Sequence, residues 1–297
     1  MSKERISSSE RKTKKSASGL KATKKPIRFL GLSLGGGKAD KACLAVLEYF
    51  PEHNKIFLSK IFEKIKNDEF ISADLKIHEL IEQYADSLAY LALDVPMQLP
   101  QCLRCEKKCP GFENCSESHI EWMWKAFRAK NKQKKPKKIF TPYTERCVEM
   151  YLSDQLEEPF HLGHAMGANT APLLARAAFI MRRLSVPVIE ISPQVSLWRI
   201  GQSLKIMKSH LRFHRHSVSG ASARKEILES LSQHSLAFLY QADQKLMIEN
   251  NHAFESFLCA FTAFLKFKKL TIDRPQGFPK SEDWIEVPEK NIRWKDL

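Results

Sequence analysis

Apolar and polar positions along the chain predict strands first and helices later. Arg28–Leu34 is a short apolar run broken by Gly35-Gly36-Gly37, and Ala42–Tyr49 is a second such run. Lys55–Ile65 alternates loosely, as a strand with one wetter face does. Short links between three strands predict an antiparallel meander. Residues 72–87 place Leu75, Ile77, His78, Leu80, Ile81 and Tyr84 near helical spacing, and Leu88–Leu93 is an apolar run ending at Asp94, two residues before Pro96. A helix feeding such a strand predicts a crossover to a parallel neighbour.

Beyond it, residues 101–116 carry a group of cysteines. Residues 117–129 read as a helix with Ile120, Trp122, Met123 and Phe127 on its apolar side, followed by a polar run from Lys130 to Lys138. A long helix is predicted over 165–184, a buried strand over Val186–Ile191 ended by Pro193, and further helices over 221–232 and 251–267. The last twenty-five residues, punctuated by prolines, are expected to wrap the surface. This order predicts an α/β fold with an RNase H-like core: three antiparallel strands, then parallel strands, with helices on both faces. A doubly wound sheet would alternate strand and helix from the start. The expected organisation is a disordered basic tail over 1–26 and one domain over 27–297, with a Cys-rich metal-binding insertion and a basic arm at 98–140.

Charge sharpens that division. The net charge is +14, and residues 1–28 hold ten Lys or Arg against two Glu, so the remainder carries about +6. A Ser- and Lys-rich segment with few large apolar residues does not fold alone. It either binds nucleic acid by charge, without reading sequence, or only keeps the chain in solution. No run of about 18 apolar residues occurs, so no membrane partner is expected. Four of the seven cysteines crowd into fourteen positions. That pattern argues against a disulfide framework, for a reducing, cytoplasmic setting, and for metal as the use of the cluster.

Cys102, Cys105, Cys109 and Cys115 supply four thiolates in one loop, which suits zinc or, as the alternative, a [4Fe–4S] cluster. A second kind of site is suggested by acids at element ends. Asp94 closes a strand, Glu190 lies in Val-Ile-Glu-Ile-Ser-Pro, and Glu255 follows His252 by three residues, so both project from one helix face. Converging carboxylates of this kind hold the magnesium or manganese ions of phosphodiester hydrolysis.

Several segments resemble the domain of unknown function 429 family, a predicted nuclease group with an RNase H-like fold related to RuvC. They are Gly31-Leu32-Ser33-Leu34-Gly35-Gly36, Leu93-Asp94-Val95-Pro96, Glu190-Ile191-Ser192-Pro193, the stretch from His252 to Ala263, and Trp284-Ile285-Glu286-Val287-Pro288. The resemblance implies a metal-dependent nuclease acting on DNA or RNA, with Asp94 and Glu255 as principal ligands and Glu190 or His252 assisting. It also implies a weakened site, because Ser33 stands where the family's first strand has Asp, and Glu255 where its helix has Asp. A non-catalytic nucleic-acid-binding protein of the same fold is the alternative.

Basic residues extend the nucleic-acid reading. Lys125–Lys138 holds eight Lys or Arg and no acid, interleaved with Phe127 and preceded by Trp122 and Trp124. Lys130, Lys132, Lys134, Lys135, Lys137 and Lys138 are candidate phosphate contacts there, and Arg146 is another. His210, Arg212, His214, Arg215 and His216 form a second basic patch. Gly35-Gly36-Gly37-Lys38 fails as a P-loop, because Ala39 replaces the Ser or Thr that would bind magnesium. A glycine-rich turn on this core also resembles that of actin-like kinases, so an ATP-using phosphotransferase is a remote third class.

Overall fold

The computed structural model describes residues 25–35, 41–131, 139–155, 162–234 and 236–294. Among them six strands form one mixed sheet: β1 (Ile27–Leu34), β2 (Ala42–Phe50), β3 (Lys55–Ile65), β4 (Leu88–Leu93), β5 (Val188–Ile191) and β6 (Ile285–Glu286). Their spatial order is β3-β2-β1-β4-β5-β6. The first three strands are antiparallel to one another, while β4 runs parallel to β1, β5 to β4 and β6 to β5. The protein is therefore α/β, with the antiparallel meander and the parallel crossover that the pattern predicted.

The helices are α1 (Ala73–Glu82), α2 (Gln101–Arg104), α3 (Ser118–Asn131), α4 (Cys147–Gln155), α5 (Ala171–Met181), α6 (Pro193–Ser203), α7 (Lys208–Phe213), α8 (Gly220–Gln233), α9 (Gln241–Glu249) and α10 (Asn251–Phe267). Ser72 caps α1 by accepting the Leu75 N–H, and Asn250 caps α10 by accepting from His252 and Ala253. The helix predicted over 165–184 narrows to α5, because a turn at Gly167, whose N–H donates to the His164 carbonyl, precedes it. Pro193 ends a strand as expected, but it also opens α6, where its fixed φ and missing N–H suit a first helical position.

Period-two alternation sorts β1 between two cores. Leu30, Leu32 and Leu34 pack with α1 and α5 through Ile77, Ile81, Ala177 and Ile180. Phe29 faces the opposite layer, where α10 lies against the sheet beneath α6, α8 and α9. Every residue of α10 from Ala253 to Leu265 is buried, as befits a helix covered on all sides. A third core joins α3, α4 and the C-terminal segment through Met123, Phe140, Val148, Phe278, Trp284 and Val287. The C-terminal segment is thus not a surface wrap. Trp284, Ile285 and Val287 are buried at the edge of the sheet, in a strand too short to announce itself by periodicity.

One residue governs how closely α10 approaches. A Cβ on Gly31 would lie 2.0 Å from the Ser256 carbonyl oxygen and 2.4 Å from the Ala260 nitrogen. Both are backbone atoms, so no side chain can swing aside. Among the described residues no helix is long and apolar enough to cross a membrane. Residues 1–24, Gly36, Gly37, Lys38, Lys132, Lys134, Lys135, Lys137 and Lys138 lie outside the described residues, so the basic tail, most of the glycine turn and most of the basic arm do too.

Gly31→Ala is expected to cost about 3 kcal/mol or more in chemical denaturation, at the upper end of overpacking penalties. Gly163→Ala, where the nearest heavy atom is 3.9 Å away, serves as the control and should stay close to wild type. Equal stability of both variants and wild type would show that α10 is not held this close.

Candidate active site

Parallel pairing of β4 with β1 leaves the C-terminal ends of the two strands side by side. Pairing continues one step past β4, where the Asp94 N–H donates to the Leu32 carbonyl at 3.2 Å. The Leu34 N–H returns a hydrogen bond to Asp94 Oδ1 at 3.0 Å. Asp94 is thereby fixed at the rim of a cleft of about 880 Å³, which Glu190, Arg215, Asn251, His252 and Glu255 also line. The acids proposed from sequence, with His252, therefore share one cleft although they span residues 94 to 255. Asn251 adds an amide oxygen that is buried in the wall without a hydrogen-bond partner.

Ser33 sits beneath this cleft, fully buried, with its Oγ 3.0 Å from His252 Nδ1. Its hydroxyl also stands close enough to Asp94 to draw that acid's pKa down. A hydroxyl has one proton to give. If Ser33 donates to the Asp94 carboxylate, it accepts from His252, so the imidazole carries its proton on Nδ1 and offers Nε2 to the exposed side. His252 and Ser33 thus meet beside Asp94, and the asparagine cap at the start of α10 sets the histidine end.

Electrostatics separate the two acids nearest this pair. Burial pushes Asp94 up, the Glu255 charge adds to the rise, and Ser33, the Leu34 N–H and Arg215 oppose it, leaving a value of about 7. Burial would also raise Glu255, but His214 and Arg215 overturn that and hold it at about 2. The Arg215 Nε donates directly to Glu255 Oε1, and His214 Nε2 stands 3.8 Å from the same oxygen. His214 is fully buried and its Nδ1 faces the Leu211 carbonyl at 2.9 Å. The second basic patch thus turns inward at His214, while Arg215 remains 47% exposed at the cleft.

Glu190 has a different employment. Arg146 grips it with two guanidinium nitrogens at 2.8 and 2.7 Å, and the Met97 N–H donates to Oε2 at 2.9 Å. The remaining Arg146 Nε donates to Glu149 at 2.8 Å, and Glu149 also accepts from the Ala165 N–H at 2.8 Å. All three side chains are buried. Arg146 is therefore not a surface phosphate ligand; it satisfies two carboxylates that would otherwise be buried charges. Trp122, Trp124 and Phe127 are half-buried and pack against Phe278 and Phe140. Lys130 falls in the last turn of α3.

The cysteine loop lies apart from the cleft. Cys102 and Cys115 are half-buried, Cys105 and Cys109 are exposed, and all four are unpaired thiols. Burial pushes the Cys102 thiol up to about 11, with further rises from Cys115, Cys109 and Cys105, so the three others stand within electrostatic reach of it. His119, which the sequence pattern did not single out, is buried with Nε2 3.6 Å from Cys102 Sγ. Among the described residues no three or more His, Cys, Asp or Glu side chains stand already gathered as a metal-holding group. No protein-family model, curated protein or solved structure matches the chain.

The raised Asp94 pKa has a signed consequence for stability. The folded protein keeps a proton that the unfolded chain releases near the ordinary carboxylate value of about 3.9. Wild type therefore loses stability as pH rises from about 4 through the folded value of about 7. Asp94→Asn lacks this loss, so the stability of the variant relative to wild type should climb across that window and level off above it. A pH-independent difference between the two denaturation series would contradict the assignment.

Proposed function

We propose that this protein is a nuclease, hydrolysing phosphodiester bonds of DNA or RNA at the Asp94 cleft, on an RNase H-like core of the domain of unknown function 429 kind. The observation that carries the proposal is the meeting of Ser33, Asp94, His252 and Glu255 at the shared end of β1 and β4. The strand order, with three antiparallel strands continued by parallel ones beside β1, supports the RNase H-like reading. The net charge of +14 supports a polyanionic partner, and a cytoplasmic setting belongs to the same proposal.

Two-ion chemistry with magnesium or manganese needs several carboxylates free to turn toward the ions. Here both oxygens of Glu190 are held by Arg146, and Glu255 is held by Arg215 and His214. A two-ion set does not fit the residues as arranged, and the chemistry of the cleft rests on the chain's own groups. An acid poised near 7 accepts a proton from attacking water near neutral pH. As the water oxygen bonds to phosphorus and the ester oxygen leaves, Asp94 passes that proton to the leaving oxygen. The guanidinium of Arg215 opposes the charge that grows on the phosphoryl oxygens. Ser33 and His252 orient the acid and give its proton a second path.

A second reading is favoured by the commitment of Glu190 and Glu255 to arginines: a nucleic-acid-binding protein of the same fold that does not cleave. Cleavage assays on branched DNA, single-stranded DNA and RNA, each with manganese, magnesium or chelator, separate the two. The nuclease reading expects cleavage that falls by about 100-fold or more in Asp94→Asn, the range lost with a general acid–base group. Activity surviving in both Asp94→Asn and Glu255→Gln removes the cleft from the chemistry. Binding with a steep salt dependence and no cleavage of any substrate establishes the second reading.

A further inference from the structure

We propose that Cys102, Cys105, Cys109 and Cys115 bind one zinc ion as four thiolates, and that His119 positions the Cys102 sulfur by an N–H···S hydrogen bond. The four sulfurs belong to one loop of fourteen residues between β4 and α3, and His119 at the start of α3 touches the first of them. Apart from the four residues of α2 and a single 3₁₀ turn at Phe112–Asn114, that loop has no continuous backbone frame. It is tied at its edges. Lys107 pairs with Glu117 at 2.5 Å, Arg104 donates to Gln98 at 2.7 Å and to the Ser281 carbonyl at 3.2 Å, and Trp124 donates to the Phe112 carbonyl at 3.2 Å. Between those ties lie the four cysteines, and Phe112, packed against Trp124 and Phe140, is the loop's contact with the third core.

The thiols are not yet gathered as a coordinating set, and the proposal includes their closing on the ion. Thiolate sites commonly form together with their metal, and the binding energy is spent on ordering the loop. Four thiolates complete a tetrahedral zinc ion. The 3.6 Å separation of His119 Nε2 from Cys102 Sγ suits a hydrogen bond to sulfur, and donors of this kind steady metal-bound thiolates from outside the coordination sphere. His119 opens α3, and the Cys147 thiol donates to its carbonyl at 3.5 Å, so the imidazole is anchored to the third core. Exposure favours zinc over an iron–sulfur cluster. Cys105 and Cys109 face water, where a redox-active cluster is open to oxidation and a zinc ion, having no redox chemistry, is not.

Metal analysis of the full chain, with cobalt(II) as the spectroscopic probe, tests the proposal. One zinc per chain is expected, displaced by a mercurial that titrates the thiols, together with a thiolate-to-cobalt charge-transfer band on substitution. Cys105→Ser and Cys109→Ser replace exposed side chains, so the variants should keep their circular dichroism while losing the zinc. His119→Gln should keep one metal and shift the charge-transfer band. Protein with no bound metal that also gives no cobalt–thiolate band overturns the proposal, as does protein carrying iron and acid-labile sulfide. Zinc retained in full by both Cys variants overturns the four-thiolate set, and zinc lost from His119→Gln as completely as from the Cys variants makes His119 a ligand.

Discussion

The close approach of α10 to β1 is the contact on which the rest of the structure depends. Gly31 lacks the one atom that would keep the helix backbone away, and the Ser256 and Ala260 backbones occupy that space. Further along the same interface Phe29 meets Phe264 edge to face with ring centroids 5.7 Å apart. Because the helix is seated so low, its N-terminal turn reaches the end of the strand. His252 then finds Ser33, and Glu255, nearly one turn later, comes within electrostatic reach of Asp94. A residue with a side chain at position 31 would lift α10 and separate the two halves of the cleft together.

Charge allocation then gives the acids different characters. Glu190 is a structural group: with Arg146 and Glu149 it ties β5 to α4 and to the chain just after β4, and the third core grows around that link. Such a network costs desolvation of every member, and losing one partner leaves buried charge behind. Glu255 is kept ionised by Arg215 and His214. Asp94 accepts from the Leu34 N–H and has no ion-pair partner among the described residues, and burial leaves its pKa at about 7. Asp94 and Glu255 thus share one cleft with opposite shifts, and the one suited to proton transfer near neutral pH is the one at the strand end.

Much of this was legible in the residues alone. Long apolar runs marked β1, β2 and β4, and the period of residues 251–267 marked α10, because both faces of those elements are buried and the signal is strong. Asp94, Glu190, His252 and Glu255 stood out as polar groups at apolar element ends. What could not be read was the partner of each. Arg215 is 40 residues from Glu255 and Arg146 is 44 from Glu190, and no local pattern specifies which cation meets which acid. Arg146 and His214 therefore looked like surface charges, although both are buried. The two-residue β6 carried too little periodicity to be recognised, and His119 was hidden because a lone histidine at a helix start gives no sign that a cysteine seventeen residues earlier lies beside it.

Nitrogen-15 NMR of the His252 ring, in wild type and in Ser33→Ala, tests the central geometry most directly. If α10 is seated against β1 as described, the neutral ring carries its proton on Nδ1 in wild type, bonded to Ser33, and loses that preference when the hydroxyl is removed. A ring that shows the tautomer mixture of a free imidazole in both proteins would mean that helix and strand do not meet there.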